Sequence, residues 1–328
     1  LVMLKGAFIY PGSLGYTLYY TTNFIFTGLA VATAFHAKLF NIGGEGQAYI
    51  GSLGILFATA LFAQYLPSLL VIILCICCSA LFGAAWAIIP GYLQAKRGSH
   101  IVITTIMFNF LASSLMVWLL SGMLMEKGQQ SPQSNLLPEN IRLPKVQNAF
   151  EVLGINISSS PMNLSFIVAL IALLLFWILI WKTRLGYEIR AVGKNQDAAN
   201  YAGINVSRII VITMTISGAF AGLLAVNEVM GVQNRVILNY TAGYGFTGIA
   251  VALMGRNHPI GIFFASLLFG VLFQGGTELD FEFQSITRDM VLLIQGLIIL
   301  FSGALAYMYN PTVSKLLSRI EKRSKNNV

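Results

Sequence analysis

The chain is expected to be all-α, a polytopic helical membrane protein with about 8–10 transmembrane segments, and three observations carry that expectation. Of 328 residues, 56% are hydrophobic and 10% charged, and mean hydropathy is +0.75, whereas a soluble domain carries roughly a quarter charged residues. Apolar windows long enough to cross a bilayer recur along the chain. Two Gly-rich breaks interrupt such windows at corresponding places, which implies two Gly-broken short helices in pseudo-repeated halves.

Candidate spans fall near 18–40, 48–66, 68–93, 101–122, 163–181, 209–232 and 290–309, with a shorter pair at 243–255 and 260–276. The short pair is joined by Arg256-Asn257-His258-Pro259 and starts and ends on one side, as two short spans or as a re-entrant hairpin. The whole chain is one transmembrane domain: first-half spans over about 18–122, an external loop 123–162, and second-half spans over about 163–309. A cationic loop 182–208 and a basic tail 310–328 complete it. With that loop and tail inside, fourteen of the twenty Lys and Arg residues lie on the cytoplasmic side. Lys5, Lys127, Arg142, Lys145, Arg235 and Arg288 fall outside, which satisfies the positive-inside bias and makes the C-terminus cytoplasmic. The first apolar segment has no basic region before it and no small-residue cleavage site, so no signal peptide is expected. The topology leaves the N-terminus outside, and a further N-terminal span preceding Leu1 is expected.

The first break reads Leu39-Phe40-Asn41-Ile42-Gly43-Gly44-Glu45-Gly46-Gln47-Ala48, and the second Tyr240-Thr241-Ala242-Gly243-Tyr244-Gly245-Phe246-Thr247-Gly248. In hydrocarbon every backbone polar group must be paired within the protein, so broken helices face protein or a water-filled path. Phe40, Asn41, Gly43, Gly44, Glu45, Gln47, Tyr49, Gly243, Tyr244, Gly245 and Phe246 are therefore the candidate lining of a substrate pathway. An unpaired carboxylate at membrane depth costs on the order of 2–3 kcal/mol. Capping a helix N-terminus is the expected role of Glu45, ahead of direct ligand contact. Glu228 is expected near the outer end of its span, at the interface. The aromatic residues at the breaks would stack on a nucleobase at about 1–3 kcal/mol per base, although packing is the commoner role. Cys75, Cys77 and Cys78 match no zinc or redox spacing and are expected to be packed or lipid-facing. The 31 glycines suit close helix approach.

Within 182–208, Asn195 is a good N-cap, Asp197 suits the positive first turn, Ala198 and Ala199 propagate, and Gly203 is a natural stop. A helix of about two turns is expected there, outside the membrane, either packed on the protein's own inner surface or docked into a partner.

The segments Phe40 to Gln47, Gly186 to Gly203 and Gly243 to Asn257 resemble the inner-membrane permeases of bacterial ABC importers. That family carries branched-chain amino acids, simple sugars and nucleosides, and the resemblance is greatest to the nucleoside and simple-sugar branch. It covers nearly the whole chain in order, and departs from it at Ile101, where relatives carry an acidic residue, and at Lys38, where a small residue is usual. The resemblance implies that Asn195, Asp197, Ala198, Ala199 and Gly203 form a coupling helix entering a cytoplasmic ATP-binding subunit. It further implies a second permease subunit, identical or homologous, an extracytoplasmic substrate-binding protein, and residence in the bacterial inner membrane.

No Gly-x-x-x-x-Gly-Lys-Ser/Thr loop and no nucleophile–base arrangement stands in the sequence. The chain is thus expected not to be an enzyme and to bind no cofactor, with ATP and Mg on the partner subunit. A nucleoside is the expected solute, then a simple sugar, then a branched-chain amino acid. An ATP-independent secondary transporter would want intramembrane charge relays, which the spans scarcely offer beyond Glu45 and Glu228. A purely structural scaffold leaves both breaks unexplained.

Overall fold

The computed structural model describes residues 2–126, 128, 130–152, 158–283, 290, 291, 293–297, 300 and 301. Most of the expected span 290–309, together with Lys127, Arg288 and the tail 310–328, lies outside the described residues. The chain divides into two compact units, 1–275 and 276–328. In the second, Gly276 lies against the side chain of Val291.

The elements are helical throughout, with no strand among the described residues. A short α1 (Val2–Phe8) precedes α2 (Ser13–His36), α3 (Gly44–Phe62), α4 (Ser68–Arg97) and α5 (Ile101–Ser121). The following loop holds a single 3₁₀ turn, Glu139–Ile141, and α6 (Val146–Val152). Then α7 (Ser165–Trp177) runs on as a π-helical turn, Ile178–Lys182, into α8 (Arg184–Lys194) and α9 (Gln196–Tyr201). Next α10 (Val206–Gly222) is continued by a π-helical segment, Val226–Gln233, and α11 (Tyr244–Met254) and α12 (Pro259–Glu282) close the described fold.

Among the described residues, five helical stretches are long and apolar enough to cross a membrane: Ser68–Arg97, Ile101–Ser121, Ser165–Lys182, Val206–Gln233 and Pro259–Glu282. The expected short pair is therefore unequal. Helix α11, with 11 residues, rises roughly 16 Å, whereas α12, with 24, rises roughly 36 Å and is not a short span.

Helix α2 is less apolar and is enclosed by the others, whereas α3 is buried over its first half and exposes Phe57 and Leu61 in its second. Every residue of α2 from Thr21 to Ala34 is buried. Three of its threonines are satisfied within the helix: Thr21, Thr27 and Thr33 donate to the carbonyls of Thr17, Asn23 and Leu29 at 2.7, 3.0 and 2.7 Å. Close approach elsewhere rests on small residues, as the glycine content suggests. Gly83 of α4 faces Gly218 and Gly222 of α10, and Ser79 Oγ donates to the Gly222 carbonyl at 2.7 Å. Gly51 of α3 meets the backbone of the same Gly222. Cys75 is packed and Cys77 exposed.

The loop after α5 is tied down. The amides of Ser134, Leu137 and Leu143 donate to the carbonyls of Val236, Asn234 and Met230 at 2.9, 2.7 and 2.9 Å, and Arg235 pairs with Glu126 at 3.0 Å. Because α7 joins this strap to α8, strap and α8–α9 stand at opposite ends of that span.

Candidate functional site

Helix α2 ends at His36, a turn follows, and residues 39–42 run without helical bonds to the start of α3. That short non-helical stretch has its own polar scaffold. Asn41 Oδ1 accepts the Gly43 amide at 2.8 Å, and its Nδ2 donates to Gln47 Oε1 at 3.0 Å and Ser217 Oγ at 2.8 Å. Ser217 in turn donates to the Ala30 carbonyl of α2 at 2.6 Å. Asn109 of α5 completes the frame: its Oδ1 accepts the Gly46 amide at 2.9 Å and its Nδ2 donates to the Ile42 carbonyl at 2.9 Å. No sequence pattern pointed to Asn109, which lies in an otherwise apolar window.

The second break lies against the first. Gly243 (φ +83°) and Ala242 (φ +46°) turn the chain into α11, whose N-cap offers no side-chain acceptor. Glu45 supplies it: Oε1 accepts the Gly245 amide at 2.9 Å, with the Thr241 hydroxyl and the Phe246 amide beside the same carboxylate. The capping role expected for Glu45 is thus found, but across the fold, since its own helix is served by Asn109. Gly44 and Gly245 form the contact. A Cβ on Gly245 would stand 2.5 Å from the Glu45 amide nitrogen and 2.8 Å from the Gly44 carbonyl carbon. The junction lies near the middle of α2, where Phe24 packs edge-on against Tyr244 with ring centroids 5.6 Å apart. Two helix N-termini therefore meet deep in the bundle, as in transporters whose broken helices build the solute site.

The expected lining residues separate. Asn41, Gly43, Gly44, Glu45, Gln47, Tyr49, Tyr244 and Gly245 are buried at the junction, and Phe40 is half-buried against Phe35. Phe246 is 49% exposed and turns away from it. Tyr49 donates to Asn239 Oδ1 at 3.1 Å and meets Tyr240 edge-on, while Tyr240 donates to the Ala48 carbonyl at 2.6 Å.

Glu228 lies near one end of the stretch Val206–Gln233, as expected, but faces inward: it is 1% exposed, on the π-helical segment, with Tyr19 and Asn23 of α2 both donating to its Oε1, Asn23 at 2.6 Å. A hydrophobic window with a single carboxylate says nothing of which way it points, and a π turn is invisible to periodicity. Neither Glu45 nor Glu228 takes part in any ion pair among the described residues.

At the α8–α9 end, Asn195 caps α9 as expected, its Oδ1 accepting the Ala198 amide at 3.0 Å, and Gly203 follows the helix at φ +83°. Asp197 and Ala198 are exposed, as is Tyr201 at 97%, whereas Ala199 is 4% exposed and packs inward. The buried Ala199 gives the expected packing on the protein's own surface, and the other face is exposed. A groove of about 560 Å³ opens beside it, lined by Lys96, Gln196, Asp197, Asn200 and residues 203–207. Helix α8 was not foreseen. Thr183 caps it, accepting the Gly186 amide at 3.0 Å, and Gly193 abuts the His36 carbonyl at the end of α2.

A bundle of membrane-spanning helices with two broken helices meeting N-terminus to N-terminus, and a small exposed helix at one end, defines a multi-pass membrane permease. Residues 13–303 match the family described as branched-chain amino acid transport system / permease component, and the chain belongs to that family of ABC transporter permeases. It is 37% identical over 296 residues to the nucleoside ABC transporter permease protein NupB of Lactococcus lactis subsp. cremoris (strain MG1363), covering 88% of this chain and 78% of that one. It is 35% identical over 288 residues to the guanosine ABC transporter permease protein NupP of Bacillus subtilis (strain 168), covering 88% and 80%. It is 34% identical over 278 residues to the glucose ABC transporter permease protein TsgB13 of Haloferax volcanii, covering 84% and 72%. No solved structure matches the chain.

Proposed function

We propose that this chain is the membrane-spanning subunit of an ATP-driven importer for nucleosides, in a bacterial inner membrane with its C-terminus cytoplasmic. The observation that carries the solute class is the 37% and 35% identity, over 88% of the chain, to permeases named for nucleosides and guanosine. Its partners are a cytoplasmic ATP-binding subunit, which holds ATP and Mg, a second permease subunit and an extracytoplasmic binding protein. Residues Phe40 to Tyr49 and Gly243 to Gly245 serve as the pathway lining.

In this reading α9 presents its exposed face, including Asp197, Asn200 and Tyr201, to the ATP-binding subunit. Helix α8 carries the displacement inward, because it abuts the end of α2, and α2 packs along α11 through Thr27–Gly248 and Gly28–Val251. Movement at α9 thereby reaches the junction of the broken helices. A glucose permease at 34% identity favours a simple-sugar reading next. Uptake of labelled nucleosides and sugars by vesicles holding the assembled complex, with and without ATP, separates the two.

A further inference from the structure

Three parts of the fold meet at the end of α2, and His36 touches all of them. Its ring lies 5.9 Å from that of Phe176 in α7 and stands edge-on to Trp181 of the π-helical turn at 5.3 Å, centroid to centroid. Its backbone carbonyl is the surface on which Gly193 of α8 packs, with no room for a Cβ. Lys38 fastens the same two helix ends, donating to the Lys194 carbonyl at 3.2 Å. The third contact is polar: His36 Nε2 lies 3.1 Å from the carbonyl oxygen of Asn257, in the turn between α11 and α12. A carbonyl can only accept, which assigns the hydrogen to Nε2.

The turn held in this way has an uncommon backbone. Arg256 and Asn257 are both left-handed, at φ +51° and +55°, a region that residues with a Cβ rarely occupy. Asn257 Oδ1 is buried without a hydrogen-bond partner. Trp181 packs here as well, edge-on to His258 at 5.2 Å. Among the described residues, the His36 bond is the one side-chain hydrogen bond that the turn receives from another helix. From it, the 11 residues of α11 lead back to Tyr244, and the N-terminus of α11 is the one that Glu45 caps.

We propose that His36 is a positioning residue: its ring ties the α11–α12 turn to the end of α2 on which α8 rests, so that a displacement of α8 moves α11 and the amides that meet Glu45. The inference rests on the reading of α9 as the face that meets the ATP-binding subunit, and it is independent of the solute. A ring that only filled space would serve equally well without its N–H. Glutamine offers an amide N–H at a similar reach, whereas phenylalanine and leucine keep bulk without a donor.

Hydrogen exchange of the amides of residues 252–262, in the complex assembled with its ATP-binding subunit, is measured with and without ATP. In the unaltered complex and in His36→Gln, ATP is expected to change exchange at the turn. His36→Phe and His36→Leu are expected to shrink that change about threefold to tenfold, the range of one neutral hydrogen bond, with ATP hydrolysis and co-purification of the subunit retained. A full ATP response in either donorless variant would overturn the inference. Equal loss in His36→Gln, or no response at the turn in the unaltered complex, would overturn it too. Each of these results leaves the docking reading standing as long as the subunit co-purifies. Failure of the ATP-binding subunit to co-purify with the unaltered chain would overturn both.

Discussion

The carboxylate of Glu45 accepts the amide of Gly245 at 2.9 Å, across a sequence separation of 200 residues, so that one broken helix supplies the cap of the other. The two halves thus share a single polar junction. Neither break is complete alone: α11 lacks its own side-chain cap, and the first turn of α3 relies on Asn109.

Removing that cap strands buried amides. Glu45→Ala is expected to destabilise the protein by about 1–3 kcal/mol, while Glu45→Gln, whose side-chain oxygen still accepts, loses less. Thermal unfolding midpoints in detergent give the order: unaltered chain, Gln variant, Ala variant. Equal midpoints for all three would remove the capping role.

Close approach at the junction is equally testable. Gly245→Ala drives a Cβ to 2.5 Å from the Glu45 amide nitrogen, a backbone atom that has little room to give. It is expected to abolish uptake and lower stability more than Glu45→Gln. Gly98→Ala is the control: no atom lies within 4 Å, and only the positive φ of 67° is strained, at about 1–2 kcal/mol. Intact uptake in the Gly245 variant would mean the broken helices separate freely.

The exposed helix predicts a division of labour between neighbouring residues. Tyr201→Ala removes a 97% exposed ring and is expected to weaken binding of the ATP-binding subunit by about 2 kcal/mol, roughly thirtyfold in Kd, with the permease fold unchanged. Ala199→Glu puts a charge at a position only 4% exposed and is expected to lower the thermal midpoint of the permease itself. Co-purification and melting curves of the two variants separate docking from packing.

Packing of α4 on α10 depends on absent side chains. Gly222→Leu forces bulk against Ser79 and Gly83 and removes the fit behind the 2.7 Å Ser79 bond. Failure to accumulate in the membrane is the expected result, read by immunoblot beside a surface control, Phe110→Leu, on an exposed position of α5.

Hydropathy located α4, α5, α7 and α10 because those helices meet their surroundings with apolar side chains. The two breaks were legible because glycine and a carboxylate interrupt the pattern, and α9 because Asn195 and Gly203 mark its ends. What stayed hidden were partnerships. Asn109 serves Gly46, and Glu228 serves Tyr19 and Asn23, contacts between residues distant in sequence that no local spacing encodes. The length of α12 was missed because Glu278, Asp280 and Glu282 end its apolar run without ending its helix. Helix α8 was hidden because its apolar face is short and two glycines, which lower helix propensity, are the residues that let it pack.

The most direct test of the account is uptake of labelled guanosine into vesicles holding the complete complex with its binding protein, with ATP present or absent on the side of α9. The account predicts saturable, ATP-dependent uptake that other nucleosides compete for and leucine does not. No ATP-dependent uptake of any nucleoside, or uptake of glucose or leucine in its place, would contradict it.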